Sequence, residues 1–350
     1  MEISPKMKAA VLYGKEDVRI EEIAVPSIND DEVLVRIKAA LTCGTDLKVY
    51  RRGYHAKMII PPAVFGHEFS GVIEKVGSNV DSFKPGMRVV AANSAPCNEC
   101  FYCKKGKPNL CEKLIFINGA YAEYIKIPKQ IVSQNLLVLP NNVTFRSAAL
   151  VEPLACVLRG LEETGIKPKD VVAVLGTGPI AYMFIRLAKL LGAFVISLGR
   201  RDERLKIAQM VGADALINTA KVKDILDAVK YYTEGGRGVD VAIEAIGQAR
   251  LWEAAIDMVR KGGIVNLFGG CATKTSINID TEKLHYSELT IKASFHHTPN
   301  HIKKALDLIA EGNLDAEEFI SGQESLQNLP ELLEKMVHQR NGFVKVAIIP

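Results

Sequence analysis

From Val171 onward the chain alternates short apolar runs with longer stretches in which apolar residues recur every three or four positions. VVAVL, VISL, ALIN, VDVAIEAIG and GIVNLFG read as buried strands, whereas PIAYMFIRLAKLLGA, DERLKIAQMVGA, KVKDILDAVKYYT and ARLWEAAIDMVRKG read as helices with one apolar face. That alternation predicts a parallel sheet wound with helices on both faces. Before about residue 150 the pattern differs. Short β-branched runs such as EVLVRIKAA, FSGVIEKVG and RVVAANS are separated by turn residues like Lys84-Pro85-Gly86, which predicts an irregular, mostly β domain. After a strand in LTIKASF come two helical stretches, HIKKALDLIAEG and LPELLEKMVHQR, and then a short apolar run, FVKVAII. A lone strand needs a sheet to join, so this tail is expected to fold back on the first domain.

The chain's 350 residues suit two domains better than one core. The expected division places residues 1–153 and 294–350 in the β-rich domain and 154–293 in the wound sheet, an α/β architecture. A net charge of +4, with its densest basic patch outside the Arg200-Arg201 pair at Lys104, Lys105 and Lys107, is too weak for a protein that grips nucleic-acid phosphates. The N-terminal MEISPKMKAAVLYG has no apolar stretch of signal-peptide length, so a cytoplasmic location is expected, and disulfides are not. The most apolar stretch, VVAVLGTGPIAYMFIRLAKLLGAFVISLG, contains Arg186, Lys189 and several glycines. It reads as strand, helix and strand, with no membrane span.

Four of the seven cysteines fall within fifteen residues, CNECFYCKKGKPNLC. Cys97, Cys100, Cys103 and Cys111 give C-x2-C-x2-C-x7-C, in which short gaps curl thiolates around one ion and the Lys-rich arc brings the fourth back. Four thiolates with no open position describe a structural zinc site spanning residues 94–113. An iron–sulfur cluster is the rival, but its bacterial ferredoxin run has a three-residue final gap and a Pro after the last Cys, where this chain has seven residues and Glu112.

A second, scattered set comprises Cys43 in LTCGTD, His67 and Glu68 in FGHEFSG, and Glu152 in VEPLA. Singly, each is an ordinary packing residue. Together they offer a thiolate, an imidazole and two carboxylates, the mixed donors of a catalytic zinc that keeps a position open.

GTGPIA, after a strand and opening a helix, fits the dinucleotide fingerprint G-x-G-x-x-G/A. Gly176 would make the turn and Gly178 would admit the pyrophosphate; Pro179 and Ile180 start the helix, and Ala181 permits close packing. The next strand decides between nicotinamides. An NAD site usually ends that strand with an acid that binds the ribose 2′-OH, but here Gly199, Arg200 and Arg201 follow VISL. Two guanidinium groups favour the 2′-phosphate of NADP. Asp202 opposes this, although it is placed to cap the next helix, and NAD remains open if both arginines are merely solvated.

CGTD, GHEFSG, the four-cysteine lobe, VEPLA and GTGPIA, in this order, resemble the zinc-dependent medium-chain dehydrogenases, especially the sorbitol and threonine dehydrogenase branch. The resemblance spans essentially the whole chain. It implies a GroES-like catalytic domain beside a Rossmann nucleotide-binding domain, and two zinc ions per chain. It also implies reversible hydride transfer between a secondary alcohol (a polyol, sugar or related hydroxy compound) and NAD(P), in a homodimer or homotetramer. Cys43 and His67 would hold the catalytic zinc with Glu68 or Glu152 as third ligand. Thr45 would take the substrate's proton, unless its hydroxyl only caps a helix. Ile246, Phe268 and Gly269 complete the expected cofactor-binding set.

Two segments depart from the family pattern. Lys48 stands where many relatives have a His on the proton path, and His296 and His297 stand where polyol-oxidising relatives often have an Arg. His296 is the candidate substrate contact. Cys156 and Cys271 fit no motif and are expected to be small buried fillers. A zinc-free reductase of enones or quinones on the same scaffold has no use for Cys43, His67 and Glu152. A non-catalytic nucleotide-binding protein would bind cofactor without turnover.

Overall fold

The computed structural model describes residues 4–54, 59–338 and 343–350; the first three residues of the N-terminal stretch, and Gln339 and Arg340 at the expected end of the last helix, lie outside the described residues. The chain divides into two compact units, Met1–Ala155 with His297–Pro350, and Cys156–His296. The first boundary falls inside the helix Val151–Glu162, where no loop or change of composition marks it.

The first unit is built on a seven-stranded sheet. Its order is Leu136–Val138, Arg88–Ala91, Phe69–Val76, Val33–Leu41, Lys345–Ile349 and Ile320–Ser325, and Tyr124–Ile127 also pairs with Val33–Leu41. Val33–Leu41 is buried almost throughout, because it is covered on both faces and carries register shifts against Phe69–Val76 that break simple alternation. The terminal run Lys345–Ile349 pairs antiparallel with this strand (Ala347 opposite Leu41) and parallel with Ile320–Ser325, so the tail does return to the first domain. Val35, Ile37, Phe65, Phe69, Tyr121 and Leu333 are among the residues of the core beneath.

The second unit is a six-stranded parallel sheet ordered Ala215–Asn218, Phe194–Gly199, Val171–Leu175, Val239–Glu244, Val259–Leu267 and Thr290–Ala293. The first strand in sequence lies third in space, so strand order reverses between Val171–Leu175 and Val239–Glu244. In such sheets that switch point, at the carboxyl ends of the strands, is where a dinucleotide binds. The helix Pro179–Leu190 buries seven of its twelve residues, Ala181 to Ile185 together with Leu187 and Ala188, which accounts for the apolarity of this stretch without a membrane. Among the described residues, no helix is long and apolar enough to cross a bilayer.

Several boundaries differ from the periodicity. The helix expected through ARLWEAAIDMVRKG stops at Met258, because Val259 is extended (φ −79°, ψ 145°) and pairs with Val239. Its β-branched side chain favours a strand, and the glycines that follow disfavour a helix. The helix in KVKDILDAVKYYT is only Ile225–Lys230, begun where Asp224 accepts from Leu226 N and Asp227 N. Ile320–Ser325 carries no strand signal in the sequence, because ISGQES has a single apolar side chain and so no apolar alternation.

Phe184 is fully buried and meets Phe268 edge-on, with ring centroids 5.0 Å apart. Truncating it removes this contact and leaves a cavity. Phe184→Ala is therefore expected to lower the stability of the second unit by about 3–5 kcal/mol, read as an earlier midpoint in urea unfolding.

Candidate metal and cofactor sites

Cys43 is the N-cap of the helix Gly44–Arg52. Its Sγ accepts from Thr45 N at 3.4 Å, and the Asp46 carboxylate accepts from Cys43 N at 3.0 Å, so a thiol closes the capping box. The cap role considered for the Thr45 hydroxyl is thus filled by Cys43 sulfur. Thr45 and Lys48 are three residues apart and share one face of this helix, with Lys48 exposed.

His67 and Glu68 precede the strand Phe69–Val76. Gly66 has φ 90°, and a Cβ there would lie 2.7 Å from the Tyr121 ring, so only glycine delivers His67 to this position. Cys43, His67 and Glu68 bring one ligand atom each within 4.8 Å of one another. His67 Nδ1 faces Asp46 Oδ1 at 3.2 Å, and Asp46 also accepts from Tyr121 OH. An imidazole held by a carboxylate through Nδ1 presents Nε2 to a metal, the usual second-shell arrangement of zinc sites. Burial alone would push the Cys43 thiol up, but the charge and hydrogen bond of His67, with Lys345 beyond, bring it down to about 7. A ready thiolate, an oriented imidazole and a carboxylate fit zinc by donor chemistry and by spacing.

Behind this group is a residue that no motif marked. Lys345 is 1% exposed; its Nζ donates to both oxygens of fully buried Glu68 and, at 3.0 Å, to Thr42 O. Against the cost of burial, the adjacent Glu68 carboxylate keeps the Lys345 ammonium charged. A single lysine inside FVKVAII was the available signal.

Glu152 is not part of the Cys43–His67–Glu68 group. Its Oε1 lies 3.8 Å from Nε2 of buried His297, which also stands 3.3 Å from Asn93 Oδ1 and 3.4 Å from Ser94 Oγ. His296 ends the second unit in a left-handed conformation (φ 66°), and Arg159 holds its backbone carbonyl at 3.3 Å. Cys156 and Cys271 are only half-buried, which corrects the expectation of buried fillers.

In the cysteine lobe, the four sulfurs lie within 4.8 Å of one another; Cys97 and Cys111 Sγ are 3.4 Å apart, and Cys100 and Cys111 Sγ are 3.9 Å apart. Tetrahedral zinc thiolates require about 3.8 Å. Cys97 N and Lys113 N donate to Cys111 Sγ, and backbone N–H groups of Cys103 and Glu112 bring the Cys100 thiol down to about 6. All seven cysteines are free of disulfides.

The expected cofactor residues gather at the carboxyl ends of the second unit's strands. Gly176, at φ 131°, follows Val171–Leu175, and nothing lies within 4 Å of a Cβ placed on Gly178, which leaves room for a pyrophosphate. Pro179 opens the helix, and Ile180 follows it in the first turn. Gly199 packs against Thr177, whose Cγ2 would be 2.4 Å from an added Cβ. Arg201 is the N-cap of Asp202–Met210, so Asp202 is the first helical residue and makes no cap, contrary to expectation. Ile246, Phe268 and Gly269 surround a buried acid absent from the sequence reading. The Glu244 carboxylate accepts from Ile246 N, Gly247 N and Trp252 Nε1, and its carbonyl from Phe268 N and Gly269 N. One residue thereby fixes two loops.

Lys345→Met would leave the Glu68 carboxyl, which burial already pushes well above its ordinary range, buried without its cation, with an expected loss of about 3–5 kcal/mol in denaturant unfolding; adding Glu68→Gln should recover much of it. In chelator-treated protein, peptide mapping should find Cys43 alkylated by iodoacetamide with a midpoint near pH 7, because the thiol is brought down to about 7. The rate should fall below that pH, as the thiolate is protonated, and zinc should block the reaction.

Residues 29–138 match the family described as Alcohol dehydrogenase GroES-like domain, and residues 179–311 match Zinc-binding dehydrogenase. Sorbitol dehydrogenase of Bacillus subtilis (strain 168) is 32% identical over 99% of this chain and 98% of its own length. D-arabitol-phosphate dehydrogenase of Enterococcus avium is 31% identical over 93% and 92%. Among solved structures, one from Sinorhizobium meliloti 1021, described as a zinc-binding dehydrogenase bound to NADP, superposes with a TM-score of 0.90 at 30% identity, covering 99% of this chain and 100% of that one. Alcohol dehydrogenase TADH from Thermus sp. ATN1 gives 0.88 at 31% identity, covering 98% and 99%. With both family matches in place and a 32% identical relative aligned over nearly its full length, the chain belongs to the zinc-binding dehydrogenases of the alcohol dehydrogenase family.

Proposed function

We propose that this chain interconverts a secondary alcohol of the polyol or sugar class with its ketone, using NADP, and works as a homodimer or homotetramer. The observation that carries the reading is the convergence of Cys43, His67 and Glu68, with Asp46 orienting His67. The substrate class is supported by the names of two relatives, sorbitol dehydrogenase and D-arabitol-phosphate dehydrogenase. NADP is supported by Gly199, Arg200 and Arg201 at the strand end and by the NADP-bound neighbour.

Cys43 and His67 hold the catalytic zinc in this reading, with Glu68 or Glu152 as third ligand. When bound, the ion supplies Lewis acidity that makes an alcohol hydroxyl easier to deprotonate. Thr45 accepts the proton, and Lys48, exposed one turn along the same helix face, is the candidate relay to solvent. His296 contacts the substrate. Gly176, Gly178, Pro179 and Ile180 receive the pyrophosphate at a helix N-terminus, and Ile246, Phe268 and Gly269 complete the nucleotide cradle. Cys97, Cys100, Cys103 and Cys111 hold a second zinc that staples the lobe and takes no part in chemistry.

Elemental analysis should find two zinc ions per chain, falling to one in Cys43→Ser together with loss of polyol-dependent nicotinamide reduction. One zinc in the unaltered protein, held by the four-cysteine lobe, would refute the proposal. Arg200→Ala should raise the KM for NADP roughly tenfold while leaving NAD unchanged.

A further inference from the structure

A 2′-phosphate at the end of Phe194–Gly199 would meet a difficulty a few residues on. The helix Asp202–Met210 begins with two acids, Asp202 and Glu203. An uncompensated carboxylate beside a phosphate repels it. In this chain the Asp202 carboxylate is turned toward the neighbouring strand, Ala215–Asn218, and the loop after it. Asn218 Nδ2 donates to one oxygen at 2.7 Å, and Lys221 Nζ donates to the other at 2.5 Å. Asn218 is itself fixed, because its Oδ1 accepts from Ala220 N at 3.0 Å. The same loop is tied to the end of the cofactor strand, with Thr219 N 2.7 Å and Thr219 Oγ1 3.2 Å from Gly199 O. These bonds hold the Asp202 carboxyl below its ordinary range. Arg200, by contrast, is exposed and makes no side-chain hydrogen bond or ion pair among the described residues.

The pair is solvent-exposed, so its contribution to folding is small. Its placement gives it a different effect. We infer that Asn218 and Lys221 clamp and neutralise Asp202, and that this clamp makes the Gly199–Arg201 turn selective for an adenosine bearing a 2′-phosphate. Lys221 is then a positioning residue: it acts through Asp202, without touching the phosphate. The inference rests on the NADP reading and adds to it the means by which an opposing charge next to the arginines is silenced.

The test uses the whole protein and two probes, 2′,5′-ADP and 5′-AMP, with affinities from titration calorimetry. The unaltered protein should bind 2′,5′-ADP more tightly. Lys221→Ala should weaken 2′,5′-ADP about fivefold, as expected for one exposed charge interaction, and leave 5′-AMP unchanged; adding Asp202→Asn should restore the loss. Raising the salt concentration should shrink the effect. A loss that Asp202→Asn does not restore would make Lys221 a direct phosphate ligand and overturn the clamp, as would an unchanged 2′,5′-ADP affinity or an equal loss for 5′-AMP in Lys221→Ala. Absence of any preference for 2′,5′-ADP in the unaltered protein would overturn the NADP reading and the clamp together, whereas a preference insensitive to Lys221 overturns the clamp alone.

Discussion

The buried ion pair between Lys345 and Glu68 is the constraint on which the first unit's candidate metal group depends. Taking two charges out of water costs several kcal/mol each, and only close geometry with further hydrogen bonds offsets it. Here Lys345 also bonds Thr42 O, while Thr42 exchanges backbone and hydroxyl bonds with Val346. The last strand is thus fastened to the residue preceding Cys43 and to the residue following His67. Two candidate zinc ligands more than twenty positions apart are held in register by a cation from the far end of the chain. Asp46 performs a related task inside the group, because its two oxygens serve Cys43 N, Tyr121 OH and His67 at once.

The second unit solves a similar problem with a single anion. The parallel sheet brings four strand ends together, but the loops leaving them have no ladder partners. Glu244 supplies acceptors to five N–H groups from two of these loops and the indole between them. With three of these donors on its buried carboxylate and two on its carbonyl, Glu244 is well satisfied. Its site leaves no room for another side chain nearby: a Cβ on Gly269 would meet Glu244 Oε2 at 2.6 Å and Gly247 N at 2.3 Å. The loops at these strand ends are therefore shaped by packing around Glu244 as much as by the glycines of the GTGPIA turn.

The wound sheet, the clustering of four cysteines and the glycine turn were legible because each is local. Strand-helix alternation, C-x2-C-x2-C-x7-C and GTGPIA all lie within short windows, and their periods or spacings reflect geometry over a few residues. Residues that act across long separations were not legible. Lys345 interrupts an apolar strand, Glu244 stands in VDVAIEAIG, and Lys221 is one charge in a polar loop; no spacing rule connects them to their partners. Asp46 was within reach, since an acid three residues after a cap is a known helix-start pattern, but a cysteine in the cap position concealed it. The helix boundary at Met258 was lost because a tertiary strand pairing overrode a continuous apolar period.

The separation of Lys345 from its partners, 303 positions to Thr42 and 277 to Glu68, also bears on biosynthesis. A ribosome adds about 5–20 residues per second, and domains generally fold as they emerge. Cys156–His296 is one uninterrupted segment and can close its sheet during translation. In the first unit, by contrast, the Lys345 contacts that hold Thr42 and Glu68 beside Cys43 and His67 can form only once the strand Lys345–Ile349 has been synthesised.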